Sequence, residues 1–177
     1  MITGGMGFIG SHLCEQLLME KHDLVVLTKS FLKKHNIANI SKKIKIEKID
    51  VTDFKRLGQS IQKNKPNVII HLAGQTSHSQ SFKQPLNDID SNAKSTLFIL
   101  EEIRKSKLKC RFILGSTFIV IGRPQKIPID EKTPCWPTTV YGANRLASEH
   151  YCKIYHEVYG LDTVTFRITN SFGPENK

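Results

Sequence analysis

The densest chemistry in this sequence lies at its start, in Thr3-Gly4-Gly5-Met6-Gly7-Phe8-Ile9-Gly10. Two spacings overlap there, Gly5-x-Gly7-x-x-Gly10 and Thr3-Gly4-x-x-Gly7-x-x-Gly10. Both suit a strand that turns sharply into a helix. One glycine permits the turn, a second lets backbone N–H groups approach a pyrophosphate, and a third lets the helix pack on the strand. The positive end of the helix then faces the phosphates. Met6, inside the loop, is expected to face outward. The dinucleotide scheme wants an acid at the end of the second strand, to hold the adenosine ribose diol. Thr28 stands there, followed by Lys29 and Ser30. Two readings stay open: Thr28 hydrogen-bonds a ribose hydroxyl and NAD binds, or Lys29 or Lys33 neutralises the 2′-phosphate of NADP. Farther along, Tyr141 and Arg145 are four residues apart, so on a helix they share one face. A cation beside a phenol favours the phenolate and readies it to take a proton.

The elements that must position these groups alternate. Met1-Ile2 reads as the tail of a strand, and Leu13, Leu17 and Leu18 recur at helical spacing after the glycine loop. Strands are expected at Leu24 to Leu27, at Ile44 to Ile49, at Val68 to Leu72, at Arg111 to Leu114 and at Thr163 to Ile168. Asp53 is placed to cap a helix over 54–63, which Pro66 stops. A long helix follows Pro85 to about Ser106. Another starts near Thr139, runs through Tyr159 and ends at Gly160. Residues 31–43 show no clear period, 74–84 read as a loop, and 122–139 form a Pro-rich loop. Most strands are continuous apolar runs, which suits strands buried on both faces of a parallel sheet with helices on each side. The expected fold class is α/β, a doubly wound, Rossmann-like parallel sheet.

Composition narrows the function classes. The chain has 177 residues, with 26 Lys and Arg against 16 Asp and Glu, a formal charge of +10. The lysines are scattered over loops and helix ends, with no basic stripe interleaved with aromatics, so a nucleic-acid partner is not expected. No run of about 18 apolar residues exists, so no membrane span is expected. Cys14, Cys110, Cys135 and Cys152 form no Cys-x-x-Cys pair and meet no histidine at zinc spacing. Free thiols and the lack of a signal-peptide pattern fit a cytoplasmic protein. His71, at a strand end, reads as structural, and no metal site is expected at His12, His71 or His78.

Five segments occur in a telling order: Thr3 to Gly10, Asp50-Val51-Thr52, His71-Leu72-Ala73-Gly74, Tyr141-Gly142-Ala143-Asn144-Arg145, and Arg167 to Pro174. Together they resemble the extended short-chain dehydrogenase/reductase family, and within it the NAD-dependent epimerase/dehydratase group acting on nucleotide sugars. The resemblance spans essentially the whole chain. It implies that Gly4, Gly7, Phe8, Ile9 and Gly10 line the pyrophosphate, that Asp50 and Val51 flank the adenine, and that Leu72, Ala73 and Gly74 pass under the cofactor. It adds Asn92, Ser116, Tyr141 and Arg145 to the cofactor site and Thr76, Thr117 and Asn170 to the substrate site.

The resemblance also implies that Tyr141 is the catalytic acid–base group, that Thr117 donates to the reacting oxygen, and that Arg145 replaces the family's lysine. Phe118 and Ile119 stand where dehydratases of the family carry an acidic pair, and neither can transfer a proton. That points away from a 4,6-dehydratase and toward an epimerase or reductase, and the leading expectation is a nucleotide-sugar epimerase with bound NAD. A reductase or dehydratase on the same fold, and a non-catalytic cofactor-binding regulatory protein, remain the alternatives. Homodimerisation through helices near 86–106 and 139–159 is expected. The strand before the glycine loop is only two residues long, and the chain stops just after Gly173-Pro174. Residues 1–177 therefore read as one cofactor-binding domain cut at both ends, with the C-terminal substrate domain largely absent.

Overall fold

In a computed structural model that describes residues 1–173, the short apolar runs pair into one six-stranded, all-parallel sheet. The elements in chain order are β1 (Ile2–Thr3), α1 (Phe8–Met19), β2 (Val25–Thr28), a 3-10 turn (Lys34–Ile37), β3 (Lys45–Lys48), α2 (Phe54–Asn64) and β4 (Val68–His71). There follow α3 (His78–Lys83), α4 (Pro85–Asp88), a π-helical segment (Ile89–Lys94), α5 (Ser95–Lys105), β5 (Arg111–Thr117), a second 3-10 turn (Phe118–Ile121), α6 (Val140–Tyr159) and β6 (Thr163–Ile168). The strand order is β3-β2-β1-β4-β5-β6. The chain thus winds outward from β1 in one direction and resumes from β4 in the other, the doubly wound topology expected from the sequence. Pro174, the last residue of the fifth segment, lies outside the described residues.

Alternate side chains of the central strands enter two apolar clusters, one on each face. Leu27, Ile69, Phe112 and Leu114 pack with Leu57, Ile61, Ile99, Leu100 and Ile103 of α2 and α5. Ile2 and Val26 pack with Cys14 of α1 and with Ile37 and Ile40. Burial on both faces holds only for the middle of the sheet. The outer strands depart from it: β3 ends on exposed Lys45 and Lys48, and Phe166 of β6 is 57% exposed. An edge strand has a neighbour on one side only, so less of it is covered.

Caps set the helix ends. The Asp53 side chain accepts from Arg56 N–H at the start of α2, and Thr139 accepts from Gly142 N–H at 2.9 Å at the start of α6. α6 ends at Gly160 in the left-handed region, φ 67°.

Two expectations are corrected, for 74–84 and for Met6, and the segment 31–43 gains a structure its sequence did not announce. Residues 74–84 are not all loop. Ser77 caps α3 by accepting from Gln80 N–H, and a helix of His, Ser, Gln, Phe and Lys carries no apolar stripe to announce it. Residues 31–43 bury Ile37 and Ile40 through a 3-10 turn, whose shorter period hides the pattern. Met6 points inward at 2% exposure, within the smaller apolar cluster, and the Asn36 side chain donates to its carbonyl at 3.1 Å. Among the described residues no helix is long and apolar enough to cross a membrane.

Candidate active site

A cleft of about 1200 Å³ runs across the carboxyl ends of the strands, over the point between β1 and β4 where the winding reverses. Open α/β sheets bind ligands at this point, because the loops diverge there and leave a crevice. The glycine loop forms one wall. Gly4 has φ +71°, and a Cβ on it would sit 2.9 Å from the Ala73 nitrogen. A Cβ on Gly10 would overlap the Gly4 carbonyl oxygen and lie 2.7 Å from the Gly5 Cα. These two positions are closed to side chains by backbone, not by movable groups. Gly4 N–H donates to the Leu27 carbonyl and Gly7 N–H to the Gly4 carbonyl, both at 2.9 Å, which fixes the loop against β2. Gly7, Phe8, Ile9 and Gly10 then turn the amino end of α1 toward the cleft.

At one end of the cleft, Thr28 donates its hydroxyl to the Ser30 carbonyl at 2.7 Å, with Lys29 and Lys33 alongside. The Asp50 carboxylate accepts from the Thr52 N–H and hydroxyl at 3.0 and 2.9 Å, a local turn that holds it at the rim beside Val51. Leu72, Ala73 and Gly74 form the floor. The floor is tied down by Thr3, whose hydroxyl oxygen accepts from Ala73 N–H at 3.1 Å and lies 2.8 Å from His71 Nδ1. His71 is fully buried, with Nε2 3.1 Å from the Ser95 hydroxyl, which in turn donates to the Ser91 carbonyl. The pattern assigns the ring proton to Nε2. Burial, reinforced by the nearby Arg145 charge, pushes the His71 pKa down to about 3. His71 is a neutral strut, as expected.

At the other end, Tyr141 and Arg145 stand one turn apart on α6, 6% and 4% exposed. The exposed His78 ring of α3 stacks on Tyr141, with centroids 5.6 Å apart. Arg145 donates from Nη2 to the Gly115 carbonyl and from Nη1 to Asn92 Oδ1 at 3.5 Å, while its buried Nε has no partner. Burial pulls its pKa down, and Tyr141, Glu149 and Asp88 oppose that shift. Thr117, at the end of β5, accepts from Ile119 N–H at 3.3 Å, so its hydroxyl proton is left to donate elsewhere. Its neighbour Ser116 donates to Glu149 at 2.6 Å, and Glu149 takes a bidentate contact from Arg167, Nη2 to Oε2 at 2.8 Å and Nε to Oε1 at 3.2 Å. Thr76 and Asn170 are exposed on the cleft wall.

Asn92 is the expected site residue that does not line the cleft. It is fully buried beneath the floor, where its Nδ2 donates to the Gln75 carbonyl at 2.9 Å and to Asp88 at 3.1 Å. Sequence reasoning passed over Asp88, Gln75, Asn144 and Glu149. A signal for the first was present: Asp88, Asn92, Ser95 and Thr96 recur at i, i+4, i+7 and i+8, a polar stripe on one helix face.

The whole chain, residues 1–177, matches the profile of the family described as GDP-mannose 4,6 dehydratase. It is 32% identical over 172 residues to the UDP-glucose 4-epimerase of Lacticaseibacillus casei, covering 97% of this chain and 51% of that protein. It is 27% identical to the dTDP-glucose 4,6-dehydratase of Escherichia coli, covering 98% and 54%. The solved structure of the Thermus thermophilus UDP-glucose 4-epimerase, a complex with NAD, superposes with a TM-score of 0.90 at 30% identity, covering 99% of this chain and 56% of that one. The chain spans about half the length of the curated relatives it matches. With its glycine-loop cleft and this match from end to end, the chain belongs to the GDP-mannose 4,6 dehydratase family, within the extended short-chain dehydrogenase/reductases.

Proposed function

We propose that this chain forms the cofactor-binding part of a nucleotide-sugar epimerase that works with a bound nicotinamide dinucleotide. The residues present fit such a group. The two glycines closed to side chains leave a cradle for a pyrophosphate under the amino end of α1, and the cleft continues from Asp50 and Val51 past the Leu72–Gly74 floor to Tyr141. Gly4, Gly7, Phe8, Ile9 and Gly10 would hold the phosphates, Thr28 and Asp50 the adenosine, and Ser116, Tyr141 and Arg145 the far end. When bound, the dinucleotide supplies a reversible acceptor for hydride from a sugar carbon.

The chain's own residues do the rest. Tyr141 takes the proton of the sugar hydroxyl and later returns it. Arg145, one turn away and permanently charged, stabilises the phenolate while that proton is held. Thr117, with its hydroxyl proton uncommitted, donates to the same sugar oxygen. Thr76 and Asn170 contact the nucleotide sugar. The observation that carries this reading is the meeting of Thr117, Tyr141 and the glycine loop on one cleft. It favours epimerisation over water elimination because residues 118 and 119 are Phe and Ile, which hold no proton to move. We place the reaction in the cytoplasm, in keeping with four free cysteines. Pairing of two copies through α6 and the helix before it is supported by Ile154 and Val158, 46% and 64% exposed.

A second reading has one observation behind it. The Gly115 carbonyl engages Arg145, which suits a protein that binds a dinucleotide without turnover. Both readings meet in one experiment. The purified protein is assayed for bound dinucleotide and for interconversion of UDP-glucose with its 4-epimer, with no cofactor added. Interconversion with no net reduced cofactor supports the epimerase. Tight NAD or NADP binding with no turnover of any nucleotide sugar supports the binder, and release of a 4-keto or reduced sugar refutes both.

A further inference from the structure

Two buried side chains of opposite charge that do not touch lie near each other here, Arg145 at the cleft and Asp88 beneath its floor. Asp88, the last residue of α4, is fully buried. Its three carboxylate partners are all side-chain amides that donate: Asn144 at 2.7 Å, Asn92 at 3.1 Å and Gln75 at 3.1 Å. They come from α6, from the π-helical segment and from the loop after β4. With donors on every side and no acceptor, the group is built for the ionised carboxylate. Arg145 is its opposite, 4% exposed, with a carbonyl and an amide oxygen for partners. The Asn92 amide stands between them, its oxygen toward the cation and its nitrogen toward the anion. The π-helical turn Ile89–Lys94 that carries Asn92 is the sort of local irregularity found at functional sites.

We propose that Asp88 is a positioning residue that acts through Arg145: a buried counter-charge, relayed by the Asn92 amide, that limits how strongly the Arg145 cation stabilises the Tyr141 phenolate. This rests on Tyr141 and Arg145 being the reacting pair. The charged and titratable groups around Tyr141 are few. His78 of α3 stacks on its ring, His71 of β4 is held neutral by burial, and Glu149 of α6 is matched by Arg167 of β6. Glu149 also acts on Arg145, but among the described residues Asp88 is the carboxylate near Arg145 that has no ion-pair partner of its own. A buried arginine cannot shed its proton to escape desolvation, so an offset must come from outside it.

The test uses the full chain free of cofactor. The Tyr141 phenolate absorbance is followed against pH as the difference between each protein and its Tyr141→Phe counterpart. Asp88→Asn keeps the shape and removes the charge. It should bring the Tyr141 signal in at a pH lower by about one unit, while Asp88→Glu, which keeps the charge, restores it. A folded Asp88→Asn chain whose Tyr141 signal stays in place or moves upward overturns the proposal. If Asp88→Asn does not fold, Asp88→Ser, smaller and also neutral, is read the same way: an earlier Tyr141 signal sustains the proposal, and an unmoved one overturns it. A shifted Tyr141 signal supports the proposal even where no nucleotide sugar is turned over, a result that would count against the reaction alone.

Discussion

Replacing Gly10 with alanine should weaken both dinucleotide binding and the fold. The added Cβ would overlap the Gly4 carbonyl oxygen and lie 2.7 Å from the Gly5 Cα, where ordinary contact begins at 3.4 Å. The loop must therefore retreat by at least about 0.7 Å, and the obstacles are backbone atoms that no rotamer change can move. Overpacking of this kind costs about 1–3 kcal/mol. The fold bears that cost with or without ligand, and because the retreat displaces the Gly4 to Gly7 turn that shapes the phosphate cradle, binding should weaken as well. The expected loss in NAD affinity is at least about tenfold, which corresponds to about 1.4 kcal/mol. Isothermal titration gives the affinity, and a thermal melt gives the stability of the same sample. Gly58→Ala on α2 is the control. Its Cβ meets only the Phe98 and Glu102 side-chain ends, at 3.2 and 3.3 Å, and helix propensity favours alanine by about 1 kcal/mol. It should leave binding untouched. A Gly10→Ala protein that binds NAD within about twofold of the parent would refute the cradle.

Thr139→Ala removes the α6 cap just before Tyr141 and should cost about 1 kcal/mol, read as a lower urea midpoint with an unchanged slope. His71 has a folded-state pKa near 3, below its unfolded value of 6.5, so its neutral form contributes stability above pH about 6.5 that is lost as pH falls toward 3. Unfolding free energies from urea melts at pH 7, 6 and 5 should fall by about 1.4 kcal/mol per pH unit below 6.5, and His71→Asn should flatten that slope. Glu149→Gln breaks the bidentate contact to Arg167 and should cost about 2 kcal/mol. Adding Arg167→Met should recover part of that loss in a double-mutant cycle, and strict additivity would argue that the pair is not coupled.

Fold and site differed in how far the sequence carried. The strand–helix alternation, the Asp53 cap, the helix start near Thr139 and the Gly160 stop were all legible, because each is a local rule obeyed by adjacent residues. The cleft wall was legible for the same reason, since Gly4 to Gly10 build it from one continuous segment. What stayed hidden depends on packing across the chain. Met6 turns inward because Ile37 and Ile40 arrive from 31–43 to cover it, and a 3-10 turn gave no period to reveal them. α3 rests on a Ser77 cap and polar residues, so hydrophobic patterning was silent. Asp88 reads on its own as one more helix carboxylate. Only Gln75, Asn92 and Asn144, brought in from three parts of the chain, make it a buried anion. Arg145 was seen as a cation on the right face, but its use of the Gly115 carbonyl follows from how closely α6 lies on β5.

The most direct test of the proposed chemistry is a single comparison of turnover. Interconversion of UDP-glucose and its 4-epimer is followed without added cofactor in the parent protein and in Tyr141→Phe, with dinucleotide affinity measured for both. Removal of a positioned acid–base group costs about 10²- to 10⁴-fold in rate. The account expects a loss of that size with a much smaller loss in affinity, because the glycine loop lines the end of the cleft away from Tyr141 and is left unchanged. A Tyr141→Phe protein that interconverts the sugars at the parent rate would contradict it.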